Sequence, residues 1–318
     1  MGKEIGGFFE LELKKDSEYH KNAIKLNSAR YCIQYLIRAK GYKKIYLPHY
    51  IGSSVLQPIV EENIEYEYYS IDSAFKPLLK ADLGSEEVIL YVNYFGLNSN
   101  NIKYVLKRYD NVIVDNTQAF FEKGSQEFDS VYSPRKFFGV PDGGYLYTDK
   151  KFNIELEEDI SFNRFEHLLK RIDMDANNSY SLFKKNEETL DNSHMKKMSK
   201  ATMSILSSID YEECKKIRNN NFKYLHSYLE KYNKISLDVS NLNGPMIYPF
   251  VVEKSGLKDY LIKNKIYVAT YWKEVLERVE KNSFEYLLAK YLIPLPIDQR
   301  YSESDMKLII DIINEFNY

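Results

Sequence analysis

The sequence predicts an α/β protein: a large, mostly parallel sheet flanked by helices, followed by a smaller α+β unit. Two observations lead there. Apolar runs at 44–48, 64–71, 87–92 and 112–114 alternate with helical stretches at 31–40, 53–62 and 99–109. Such βα alternation gives parallel strands joined by right-handed crossovers. The last third then changes character. A long helical stretch, 207–232, leads into strand-like runs at 247–252, 266–269 and 291–296, with helices at 255–264 and 303–316. The 318 residues suit one large domain, 1–204, and a smaller one, 205–318.

In chain order, residues 5–13 alternate at their end like a strand, with Gly6-Gly7 as a lead-in. Asn27-Ser28-Ala29-Arg30 precedes the first helix, and Ser28 or Asn27 is a good N-cap. The free amides of a helix N-terminus also attract anions. Lys44 to Pro48 is a strand ending in proline, and Asn93-Tyr94-Phe95-Gly96 a turn after the next apolar run. Residues 155–200 are charged and helical, with Met195, Met198 and Met203 expected in a core. There are no tandem repeats and no low-complexity segment.

Composition excludes several classes. The formal net charge of −2 argues against nucleic acid as a partner. No apolar run reaches the length of a membrane span, and Met1 to Gly6 lacks a signal-peptide core. Cys32 and Cys214 lack metal-type or redox-type neighbours, so no metal is expected and the expected location is the cytoplasm.

The chemistry concentrates between 112 and 149. Val112-Ile113-Val114 runs into Asp115-Asn116-Thr117-Gln118. Lys136 follows in Ser133-Pro134-Arg135-Lys136, ahead of Phe137-Phe138-Gly139 and the Gly143-Gly144 pair that opens the next strand. An apolar strand ending in an acid, then a lysine on a turn, is what a pyridoxal 5′-phosphate (PLP) site requires. The lysine condenses with the cofactor aldehyde. The acid pairs with the pyridine nitrogen and keeps the ring an electron sink. A lone lysine is ordinarily a solvated surface charge. Here the flanking phenylalanines and glycines indicate a tight, partly buried turn, where burial and nearby positive charge lower the amine pKa.

Residues 112–149 resemble the DegT/DnrJ/EryC1/StrS sugar aminotransferases, a branch of the fold-type I PLP-dependent transferases. The resemblance rests on Val114-Asp115-Asn116-Thr117-Gln118, Tyr132-Ser133, Lys136, Asp142-Gly143-Gly144 and Tyr147-Thr148-Asp149, and extends more weakly over most of the chain. It implies a PLP enzyme moving an amino group from an amino acid donor, glutamate in most members, to a keto sugar, expected to be nucleotide-linked, for glycan precursor synthesis. Lys136 and Asp115 are then the catalytic pair. The family carries Gln118 against the ring face or its phenolic oxygen, and Ser28 and Ala29 at the phosphate. Ser133 as a donor and Arg135 as a bidentate cation both reach a phosphate from beside the lysine.

The chain departs from the family at Gly52, which falls where the ring-stacking aromatic usually sits; Tyr50 or His49 is left for that role. The family's interface asparagine is missing near Met195-Lys196-Lys197-Met198-Ser199, leaving Lys196 or Lys197 to reach the partner's phosphate in a homodimer with shared sites. The 29 tyrosines and 17 phenylalanines, more aromatic surface than one core readily hides, favour such an interface. Asn93 sits on the turn nearest the substrate side. Two alternatives remain: an amino acid/keto acid aminotransferase, for which Arg171 and Arg300 are candidate carboxylate ligands, and a catalytically silent scaffold. Sugar dehydratases of this family replace the lysine, so Lys136 argues against that chemistry.

Overall fold

The computed structural model describes residues 5–151 and 154–316. Its centre is a sheet whose middle strands, 112–115 and 129–132, are buried along their whole length, because helices cover both faces. The strands are β1 (Ile24–Leu26), β2 (Lys44–Pro48), β3 (Glu65–Tyr69), β4 (Glu87–Val92), β5 (Val112–Asp115), β6 (Asp129–Tyr132) and β7 (Gly144–Tyr147), in the order β1-β7-β6-β5-β4-β2-β3. The ladders β3-β2-β4-β5-β6 are parallel, and β7 runs antiparallel between β6 and β1. The helices of this part are α1 (Ala29–Lys40), α2 (Leu56–Glu61), α3 (Ser99–Arg108), α4 (Glu166–Asp173), α5 (Ala176–Asp191) and α6 (Lys200–Leu206).

One close approach decides where α1 begins. A Cβ on Gly144 would lie 2.5 Å from the carbonyl carbon of Ser28, so only glycine lets β7 pass the start of this helix. The Gly143 amide donates to the Asn27 carbonyl at 2.8 Å. The helix N-terminus is thereby fixed beside the turn that carries Lys136.

The C-terminal part contains α7 (Tyr211–Leu229), β8 (Tyr248–Val251), α8 (Leu257–Lys263), α9 (Val275–Arg278), α10 (Phe284–Tyr291), β9 (Leu292–Leu295) and α11 (Glu303–Phe316). β8 and β9 form an antiparallel pair. A second core lies between α7, α11 and this pair, with Phe222, Leu225, Phe250, Met306 and Ile310 buried in it. Each such side chain contributes about 1.5–3 kcal/mol on burial. The segment around α9 and α10 behaves differently: Val275 and Leu288 belong to the core of the large sheet.

Several expectations are revised. Residues 5–13 form no strand; Phe8 and Phe9 are 98% and 92% exposed, so the two rings gain no burial against a sheet edge. Residues 266–269 are not a strand either; Ile266 and Val268 instead drop into the second core. The stretch 155–200 is two helices plus an extended segment, where Lys197 bridges to Leu26. Asp175 starts α5 by accepting from the Asn178 amide, and Asp210 starts α7 by accepting from the Glu213 amide, later than the expected 207.

Among the described residues, no helix is long and apolar enough to cross a membrane, and no group of three His, Cys, Asp or Glu side chains is arranged to hold a metal.

Candidate active site

In a parallel sheet, the C-terminal ends of the strands open onto a crevice. Here the ends of β5 and β6 and the start of α1 enclose a cleft of about 290 Å³. Ser28, Ala29, Asp115, Thr117, Gln118, Ser133, Arg135 and Lys136 all line it. Of the eleven site residues expected from sequence, these seven come together: Ser28, Ala29, Asp115, Gln118, Ser133, Arg135 and Lys136.

Asp115 is buried at the end of β5. One of its oxygens accepts from the Thr117 amide at 2.9 Å, a local turn that aims the carboxylate. The Thr117 hydroxyl in turn accepts from Lys136 Nζ at 2.9 Å. Thr117 therefore links the acid and the amine. Lys136 keeps solvent contact through the mouth of the cleft, but the surrounding walls crowd water away from its ammonium. That desolvation lowers its pKa, Asp115 opposes the shift, and Arg135 reinforces it.

Gln118 is buried, and its Oε1 accepts from the Phe95 amide at 2.8 Å. Its oxygen is thus committed, and Nε2 is the atom it offers to the cleft. Ser28 stands at the N-cap of α1 in an extended conformation, but its hydroxyl makes no capping bond. The first amides of α1 have no intrahelical partner by helix geometry. Arg135 pairs with Glu187, while its Nε is buried without a partner among the described residues.

The backbone just after the lysine is held from far away. Arg218, buried on α7, lays its guanidinium 4.6 Å from the Phe137 ring centroid and donates to the Pro245 and Met246 carbonyls. Gln299 donates to the Phe137 carbonyl at 2.8 Å and accepts from Arg218 Nε at 2.9 Å. Asp142 is a cap rather than a ligand of the cleft: it accepts from the Ser199 amide and hydroxyl and from Thr202.

Four expected residues fall elsewhere. Tyr50 is fully buried and does not line the cleft, because the edge of its ring packs on Trp272 at 4.7 Å between centroids. Asn93 is buried in turn-building bonds to Ser99, Asn116 and the Asn98 amide. Arg171 is exposed on α4, and Arg300 is paired to Asp298 beyond the cleft. His49 stacks on Tyr68, likewise outside it. Lys196 pairs with Glu157, and the 193–199 segment lies along β1 of its own chain.

Sequence reasoning missed Thr117, Arg30 and Trp272, which also line the cleft. Thr117 carried a signal, the Asp-x-Thr spacing of a side-chain turn. Trp272 carried a weaker one, as the single tryptophan of the chain. Arg30 is drawn in by Asp191, 2.6 Å away across the cleft mouth.

No family model matches the chain, and no curated protein is similar to it in sequence. Solved structures are similar in fold. A DegT DnrJ EryC1 StrS aminotransferase from Brucella abortus is 16% identical with a TM-score of 0.63, covering 92% of this chain and 85% of its own. The sugar aminotransferase CalS13 from Micromonospora echinospora is 11% identical at a TM-score of 0.65, covering 93% and 88%. Helicobacter pylori PseC, an aminotransferase involved in the biosynthesis of pseudoaminic acid, is 13% identical at 0.60, covering 92% and 86%. The chain has the fold of these aminotransferases over nearly its whole described length.

Proposed function

We propose that the protein is a PLP-dependent aminotransferase that moves an amino group from an amino acid donor, glutamate, to a nucleotide-linked keto sugar. The observation that carries this reading is the Asp115–Thr117–Lys136 relay in a cleft against the start of α1. The donor set suits the cofactor. A buried acid and a lysine of lowered pKa face one cleft, and an uncommitted serine hydroxyl, free helix amides and the unpartnered Arg135 Nε lie at its edge. PLP, when bound, supplies an aldehyde and an electron-withdrawing ring.

Lys136 would hold the aldehyde carbon and Asp115 the ring nitrogen. Ser28, the α1 amides, Ser133 and Arg135 would hold the phosphate, with Gln118 Nε2 as a further donor. Thr117 Oγ1 fixes the direction of the Lys136 amine, which takes up and returns a proton at Nζ as general acid and base. The lowered pKa raises the share of that amine in the unprotonated form. Arg218 and Gln299 hold the Phe137 carbonyl and thus the turn beneath the amine. Arg171 and Arg300, the expected ligands for a keto acid, lie outside the cleft, which favours the sugar acceptor.

We further place the complete site in a two-fold homodimer in the cytoplasm, functioning in glycan precursor synthesis. Exposed Ile160, Phe162, Leu169 and Ile172, together with the high aromatic content, support a covered face.

The test is to load the protein with PLP, reduce it with borohydride, and map the adduct by mass spectrometry. The loaded protein is then assayed with glutamate and a panel of nucleotide keto sugars and keto acids. An adduct at Lys136 and turnover of a keto sugar are expected. No adduct at Lys136 refutes the cofactor assignment, and turnover of keto acids alone refutes the sugar.

A further inference from the structure

Asp115, Thr117, Gln118, Ser133 and Lys136 form a polar wall of the cleft, and Ile33, Ile51, Val55, Val92 and Trp272 are its apolar lining residues. Trp272 is the one aromatic side chain among the cleft-lining residues. Its indole occupies the space left by a missing side chain: a Cβ on Gly52 would lie 2.4 Å from Nε1 and 2.7 Å from Cδ1. The fit is held on several sides. Trp272 has a φ of 54°, in the left-handed region that a bulky residue rarely adopts. Its carbonyl accepts from the Val275 amide at 3.0 Å. Glu274 accepts from the Ser53 amide at 3.1 Å, and Arg278 donates to the Ile51 carbonyl at 2.5 Å. Tyr50 packs its edge on the indole from behind.

A strained, tethered, half-buried indole facing a polar wall is a flat surface kept ready for a flat ligand. We infer that Trp272, delivered from the C-terminal part of the chain, is the stacking face that positions the PLP ring, and that Gly52 is a glycine to let it in. The inference rests on the proposed cofactor. It adds a positioning residue more than 130 positions distant in sequence from the strand-end groups Asp115 and Lys136.

The single tryptophan makes the test direct. PLP is titrated into the full-length wild-type protein, Trp272→Leu and Trp272→Phe. Bound cofactor is measured by equilibrium dialysis, the Lys136 adduct by borohydride trapping, and tryptophan emission is followed in the wild type. Stacking on an aromatic face predicts about a tenfold loss of PLP affinity in Trp272→Leu, with most of it restored by Trp272→Phe. Wild-type emission should be quenched in step with cofactor uptake. Unchanged affinity in Trp272→Leu, with the adduct intact, overturns the stacking role and leaves the cofactor assignment standing. If the leucine variant fails to fold, the wild-type titration still decides: cofactor uptake without quenching overturns the inference. No uptake by the wild type overturns both readings.

Discussion

The polar wall of the cleft is built locally, whereas the contacts that hold Trp272 and Phe137 are assembled across the chain. Asp115, Thr117 and Gln118 are successive turns of one strand end, and Lys136 comes from the next strand over. Trp272 and Arg278 reach the Ile51–Ser53 loop, and Arg218 and Gln299 reach Phe137, from the C-terminal part. The difference teaches which substitutions should show as lost chemistry and which as lost stability.

Lys136→Ala should break the local wall most severely. It removes the amine that takes and returns the proton, so turnover should fall at least about a thousandfold in steady-state assays, with the circular dichroism spectrum unchanged. Residual activity within tenfold of wild type would show that the lysine is misassigned. Asp115→Asn keeps the Thr117 turn but loses the charge. We expect about a hundredfold slower reaction with glutamate in single-turnover measurements, while PLP stays bound.

Arg218→Met probes the long-range contacts. It leaves Gln299 and two backbone carbonyls without their donor, and should cost about 2 kcal/mol in urea unfolding. Activity measured well below the transition should fall far less than for Lys136→Ala. A change in turnover without any shift of the midpoint would contradict the division drawn here. Gly52→Ala should drive the indole out of its slot at a cost of about 1–2 kcal/mol, read as a lowered Tm.

The smallest effect is a pH control that touches neither region. His20 is buried, its Nε2 lies 2.7 Å from the Phe120 carbonyl, and burial pushes its pKa down to about 4. Below its ordinary value of about 6.5, the unfolded chain takes up a proton that the folded chain refuses. Stability should therefore fall as pH drops from 6.5 toward 4, by about 1 kcal/mol at pH 5.5. His20→Asn should flatten that acid limb in urea titrations against pH.

This contrast also explains what the sequence made legible. The order of strands and helices from 29 to 115 followed from apolar alternation, and the polar wall followed from residues adjacent in the chain. Helix 303–316 was legible to the residue, because its apolar spacing repeats without interruption. Thr117 was overlooked because its role depends on a side-chain turn. Trp272 was overlooked because, apart from being the single tryptophan, nothing near it in sequence refers to Gly52. Tyr50 was misplaced for the same reason: its burial is set by an indole from another part of the chain. Residues 266–269 looked like a strand because apolar burial and strand pairing leave the same short pattern.

The passage of Gly144 beside Ser28 carries a consequence for the order of events during folding. The start of α1 is defined by contacts with residues 143–144 and 196–198, all more than a hundred positions later. Such contacts close large loops and form late. A chain emerging from the ribosome can pair β2 with β4 long before it can shape the rim around Ser28. The anion-binding capacity proposed for that rim would then be a late marker of the completed sheet, acquired only when β7 and the 193–199 segment have docked.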